Sequence, residues 1–200
     1  MSLKDPNICT KEALIEVVKE KSLQFGDFTL KSGEKSDFYL DCRKLSLSSE
    51  GLDLIIQNMH IILRMSSVGR EFGNYEFDAI GGPCVGADPI VGAFLYNQGR
   101  VKTPLRGFLV RKEADERGGY IIGSVEKEDK VVIVEDVTTT GNTLMRTIDI
   151  IEDFGCQVIY VLSIIDRLSG AKELFAKKGI EFGSILTIDD IAEKTYKKID

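Results

Sequence analysis

The stretch KVVIVEDVTTTGNT, residues 130–143, decides how the rest of the chain is read. An apolar run, Val131, Val132, Ile133 and Val134, drives into two carboxylates, Glu135 and Asp136. Such a run between polar neighbours reads as a buried strand of a parallel sheet. The loop that follows, Thr138, Thr139, Thr140, Gly141, Asn142 and Thr143, has little side-chain bulk and opens a helix. Small residues let backbone N–H groups approach an anion, and the helix N-terminus adds positive partial charge. Threonine hydroxyls supply further donors. This describes a phosphate cradle, although no GxxxxGK[ST] pattern is present and it is not a Walker loop. The two acids suit sugar hydroxyls, or a Mg²⁺ shared with the ligand. Hydroxyls and a phosphate that close together describe a ribose 5-phosphate. On the residues alone a second reading stands, in which the acids cap a turn and the threonines merely start a helix.

Working outward, strands alternate with helices. Residues 10–26 (TKEALIEVVKEKSLQFG) place Ala13, Leu14, Val17 and Val18 at helical spacing, with Thr10 as a candidate N-cap. Residues 28–43 read as two short strands around a Ser-Gly turn. A helix over 48–65 carries His60, the single histidine, which is expected to be filler rather than catalyst. Strands are expected at 77–82, 106–112, 130–137, 157–166 and 181–188. Helices are expected at 86–99, 140–155, 169–179 and 189–198, the second of them ending at Gly155. The alternation predicts an α/β fold with a mainly parallel sheet of about five strands, covered by helices on both faces. In such sheets ligands bind outside the carboxyl ends of the strands, where the acid pair lies.

Composition sets the bounds. At 200 residues, 43% hydrophobic and 29% charged, the chain is expected to form a single globular domain over 1–200. Its core would run from about 46 to 180, with a small hood from about 1–45 and the C-terminal segment. A net charge of −6 argues against a protein that grips nucleic acid over a broad face. Cys9, Cys42, Cys84 and Cys156 show no CxxC spacing, so neither a zinc site nor a disulfide framework is expected. No apolar run approaches the ~20 residues that span a bilayer, and the first residues lack an apolar signal core. The expectation is a cytoplasmic protein with no membrane partner.

Residues 131–143 resemble the phosphoribosyl pyrophosphate (PRPP) signature of the type I phosphoribosyltransferases: four apolar residues, two acids, then a threonine/glycine loop. Four further segments narrow the resemblance to the orotate phosphoribosyltransferases. They are FTLKSGEKSDFYLDCRK from residue 28, GGPCVGADPI from 81, FLVRKEADERGG from 108 and IIDRLSGAKELF from 164. The resemblance implies a type I phosphoribosyltransferase fold and roles for individual residues. Glu135 and Asp136 would hold the ribose 2- and 3-hydroxyls, and Thr139 to Thr143 the 5-phosphate, with Thr138 leading into that loop. Lys31, Phe38, Tyr39 and Thr139 would lie at the orotate site. Arg167 would read orotate, a task to which a guanidinium fork is suited. Arg111 and Lys112 would contact pyrophosphate, in this family often from the neighbouring subunit, which implies a homodimer with shared sites. Gly82, Pro83, Gly86 and Ala87 would form a tight loop offering backbone amides to pyrophosphate. Each has a plainer alternative: Phe38 and Tyr39 as strand core, Arg167 as a surface ion pair, the loop as close helix packing.

The implied chemistry is displacement at the sugar C1. Orotate nitrogen attacks, pyrophosphate leaves with Mg²⁺, and orotidine 5-monophosphate forms on the route to UMP. No direct protein ligand set for the metal is implied, since Mg²⁺ would be held mainly through PRPP. The chain departs from the family in one place. After Arg-Lys-Glu the family usually reads x-Lys-x-His (or Tyr)-Gly, whereas residues 114–118 here are Ala114, Asp115, Glu116, Arg117 and Gly118. Two carboxylates aimed at pyrophosphate would repel it, and Arg117 is the candidate replacement for the absent catalytic lysine. Two other functions are compatible with this departure: transfer to a different base, or a PRPP-binding regulator without turnover.

Overall fold

The computed structural model describes residues 10–29, 35–69, 75–101 and 104–196. Its centre is a six-stranded sheet in the order β5-β4-β3-β6-β7-β8. The strands are β3 (Ala79–Pro83), β4 (Arg106–Val110), β5 (Ile121–Gly123), β6 (Lys130–Thr138), β7 (Gln157–Asp166) and β8 (Glu181–Thr187). All pairings are parallel except β4 with β5 at the edge. The expected five strands are thus present, and β5 is a sixth. It escaped detection because three residues, one of them Gly123, give neither period-2 alternation nor length.

Both faces of this sheet are covered, which is why β6 can be apolar without alternation. Residues 131–135 are all buried. Val132 and Val134 join the cluster built with α1 (Thr10–Lys21), α3 (Ser49–Met65) and α4 (Asp88–Arg100). Val131 and Ile133 point the other way, to α5 (Asn142–Phe154) and α6 (Ala171–Lys177). On α5, Leu144, Ile148 and Ile151 recur on one face and are at most 1% exposed. Each such side chain contributes roughly 1.5–3 kcal/mol over an exposed one. This packing fixes the helix whose first turn forms the phosphate-like loop. Gly155 ends α5 in the left-handed region, at φ 112°.

A separate antiparallel hairpin, β1 (Leu23–Thr29) with β2 (Lys35–Leu40), stands apart from the sheet. The helix expected over 10–26 therefore stops earlier, where the Ser22 N–H still donates to the Val18 carbonyl. Thr10 is the first residue of α1 rather than its cap, and its hydroxyl donates to Asn58. A short α2 (Arg43–Ser46), absent from the sequence reading, links the hairpin to α3. The last helix, α7 (Ile188–Tyr196), packs on β8 and α1.

His60 is core filler, as expected. Its Nδ1 meets the Tyr75 hydroxyl at 2.6 Å, its Nε2 meets Asn97 Oδ1 at 2.9 Å, and its ring stacks on Phe94. Burial lowers its pKa. Cys42, Cys84 and Cys156 are free thiols.

Candidate active site

The acid pair lies near the carboxyl end of β6, two residues before Thr138 closes the strand. Glu135 is paired in register with Ser163 of β7, and only 8% of it is exposed. Burial, and then the neighbouring Asp136 charge, push the Glu135 carboxyl up to about 9. Glu135 therefore keeps its proton at neutral pH. Asp136 is half-buried, and its Oδ1 accepts from the Val137 N–H at 2.8 Å.

The β3–α4 loop closes over these acids. A Cβ at Gly86 would lie 2.6 Å from both Glu135 Oε1 and Asp136 Oδ1, so only glycine leaves the carboxylates in place. A Cβ at Gly82 would collide with the Val134 carbonyl. The close packing at Gly86 is thus against the acid pair, and that at Gly82, in β3, is against the β6 backbone. Pro83 and Ala87 are buried.

Beyond the acids the chain enters the small-residue loop. Gly141 takes φ 83° at the start of α5, and a Cβ there would press on the Phe175 ring at 2.9 Å. Thr139, Thr140, Asn142 and Thr143 are exposed around it. A cavity of about 50 Å³ is lined by Glu135, Val137 and residues 138–144. The Thr138 hydroxyl is buried and has no hydrogen-bond partner among the described residues.

Two of the expected orotate residues come together. The Arg167 guanidinium lies over the Phe38 ring, 5.5 Å from its centroid, and the Arg167 N–H donates to the Thr138 carbonyl at 2.9 Å. Tyr39, next along β2, instead meets Phe28 at 5.6 Å, as strand alternation requires. Lys31 and the Ser32-Gly33 turn lie outside the described residues.

Arg111 and Lys112 lead from β4 into an exposed loop that returns through β5. Arg111 Nη1 meets Asp115 Oδ2 at 3.3 Å, and its charge reaches the Cys84 thiol of the β3–α4 loop. Arg117 is exposed at the tip.

Sequence reasoning missed three neighbours of these elements. Arg146 of α5 donates to the Lys112 carbonyl and lies over the Tyr120 ring at 5.5 Å, so it grips both stems of the loop. Its position three residues after Thr143 was the only signal available. Asp41 and Arg43, paired at 2.9 Å, follow β2, and the Asp136 charge acts on both Cys42 and Arg43. The segment that follows the hairpin therefore lies within the electrostatic reach of Asp136.

Comparison with known proteins decides the family. The phosphoribosyl transferase domain model matches residues 100–192. Orotate phosphoribosyltransferase of Rhodopirellula baltica is 41% identical over 179 residues, covering 88% of this chain and 91% of that one. The chain belongs to the orotate phosphoribosyltransferases. It is accordingly an enzyme, a pentosyltransferase with the type I phosphoribosyltransferase fold. The crystal structure of Mycobacterium tuberculosis orotate phosphoribosyltransferase with Fe(III) dicitrate superposes with a TM-score of 0.78 at 30% identity. It covers 92% of this chain and 99% of that one. A second structure of the mycobacterial enzyme, in complex with PRPP, gives 0.75 at 28% identity, with the same coverage. Among the described residues no helix is long and apolar enough to cross a membrane.

Proposed function

We infer that the chain converts orotate and PRPP to orotidine 5-monophosphate and pyrophosphate, as a step of pyrimidine synthesis. The observation that carries this reading is the contact of Arg167 with both Phe38 and the Thr138 carbonyl. It sets a planar, cation-backed surface for a carboxylated pyrimidine one peptide away from the PRPP loop.

In this reading Glu135 and Asp136 hold the ribose 2- and 3-hydroxyls. The protonated Glu135 can donate while Asp136 accepts. The 5-phosphate sits on the first-turn N–H groups of α5 among Thr139, Thr140, Gly141, Asn142 and Thr143. The buried Thr138 hydroxyl supports a ligand or water oxygen there, since buried polar atoms seldom go unpaired. Gly82 and Gly86 let the β3–α4 loop bring its amides to pyrophosphate, with Arg111 and Lys112 as counter-charges. Arg167 and Phe38 fix the orotate plane, and Lys31 is the further orotate contact. Reaction then needs alignment at C1 and neutralisation of the leaving group rather than a covalent nucleophile. Arg117 takes the place of the family lysine, and closure of its loop excludes water.

The donor set fits Mg²⁺ brought by PRPP. Asp136 offers an oxygen near the ligand to a Mg²⁺ held mainly through PRPP. When bound, Mg²⁺ would neutralise pyrophosphate charge. The assembly in this reading is a cytoplasmic homodimer. Arg111, Lys112 and Arg117 reach the pyrophosphate of the neighbouring subunit's site. The chain is one domain, with the β1–β2 hairpin as hood.

The test is pyrophosphate release by purified protein with PRPP and Mg²⁺. Release is expected with orotate and not with uracil, hypoxanthine or adenine. PRPP binding with no orotidine 5-monophosphate formed over hours would overturn the reading.

A further inference from the structure

The loop carries its own counter-ion. Asp115 stands where the family has a lysine, and its two carboxylate oxygens have separate partners. Oδ1 accepts from the N–H groups of Gly119 at 2.9 Å and Arg117 at 3.0 Å. Oδ2 meets Arg111 Nη1 at 3.3 Å. The main chain closes the same turn twice: the Asp115 N–H donates to the Gly119 carbonyl, and the Gly118 N–H donates to the Asp115 carbonyl, both at 2.9 Å. Gly118 takes the left-handed φ of 77° that the turn requires. The Gly119 and Arg117 N–H groups, with help from Arg111, hold the Asp115 carboxyl below the usual carboxylate range. It is therefore ionised throughout the working pH range.

We propose that Asp115 is a positioning residue and a place-holding anion. In the empty enzyme Oδ2 occupies Arg111, and it yields that guanidinium to a pyrophosphate oxygen of the incoming substrate. Oδ1 meanwhile keeps the turn that presents Arg117. This rests on the reading that Arg111 meets pyrophosphate. It also explains how an acid is tolerated at a cation's position. The carboxylate is engaged by backbone donors and by one arginine, so it faces its own loop rather than the ligand.

The division of labour between the two oxygens is separable. Asp115→Asn keeps an acceptor for the turn but puts an amide against Arg111, while Asp115→Ala removes both functions. The Arg111–Asp115 pair is exposed, and freeing Arg111 from such a pair is expected to tighten anion binding about 2- to 5-fold. Titration of inorganic pyrophosphate with Mg²⁺, without orotate, reads this directly, and the KM for PRPP should fall in step. Asp115→Asn should hold kcat within about 2-fold, whereas Asp115→Ala should lower kcat about 10-fold as the turn loosens. Unchanged pyrophosphate affinity in Asp115→Asn would overturn the proposal. So would equal tightening with raised kcat in both variants, the signature of an acid that simply repels the ligand. Arg111→Ala separates this failure from that of the underlying assignment. If it leaves pyrophosphate affinity unchanged, the assignment of Arg111 falls and the proposal with it. If it weakens pyrophosphate while Asp115→Asn does not tighten it, the place-holding role alone falls.

Discussion

Replacing Glu135 by Gln tests the electrostatics of the site without touching its shape. The buried carboxyl titrates at about 9 in the folded enzyme against 4.5 when free. Between those values the folded state holds a proton that the unfolded chain has lost. The stabilising contribution is complete below about pH 4.5 and disappears as pH rises toward 9. The slope is about 1.4 kcal/mol per pH unit, so the wild type should lose roughly 3 kcal/mol of stability from this group between pH 6 and 8. The Glu135→Gln variant has no proton to release there and should lose none of it. For a chain of 200 residues, unfolding entropy is about 0.4 kcal/mol/K, which makes the difference about 7 °C in Tm. The assay is thermal unfolding of both proteins at pH 6 and pH 8, without PRPP or Mg²⁺. Comparing the change with pH in each protein cancels any constant cost of the amide. Equal changes in Tm would show that Glu135 is already ionised at pH 6 and would refute the account of its burial.

Gly86→Ala should leave the melting temperature nearly unchanged but weaken PRPP binding at least about 10-fold, because its Cβ must displace Glu135 and Asp136 from 2.6 Å; titration calorimetry checks it. Arg146→Ala should cut kcat by about 10-fold with little change in the KM for orotate, since it frees both stems of the loop, at Lys112 and Tyr120. Steady-state kinetics at saturating PRPP would expose a purely structural Arg146, whose loss would shift Tm rather than kcat. Arg117→Ala should lower turnover about 10²-fold with PRPP binding largely kept, as expected for a contact made in the transition state. Mixing Asp136→Asn protein with Arg111→Ala protein should restore some activity, because a heterodimer regains one intact site; no recovery after subunit exchange would count against sites shared between protomers.

The sheet was legible because its strands are buried on both faces and so stand out as unbroken apolar runs. Residues 131–134 and 158–162 needed no alternation to be read as strands. Boundaries were less legible. Before Gly26 nothing in KSLQFG breaks a helix, yet β1 begins at Leu23, because pairing with Leu40 across the hairpin overrides local propensity. The acid pair and the cradle could be found because a strand, two acids and a small-residue loop are consecutive. Arg146, Asp41 and Arg43 could not, because they act through elements that are distant in sequence.

The loop shows why a charge count misjudges such a site. Residues 111–117 carry three cations, Arg111, Lys112 and Arg117, and three acids, Glu113, Asp115 and Glu116. Counted that way, the loop has no net charge to offer a pyrophosphate, and a lysine in place of Asp115 would have given it two positive charges more. A count treats every charge as equally near the ligand, whereas screening leaves only groups within about 8 Å of one another strongly coupled. Geometry then decides, and Asp115 has its oxygens on the Arg117 and Gly119 N–H groups and on Arg111. An acid held in this way costs the ligand little repulsion, and it holds in shape the turn on which Arg117 is displayed. The departure from the family pattern is therefore a pair of coupled changes. An aspartate holds the turn, and in the proposed function an arginine two residues on supplies the charge that the lysine would have carried.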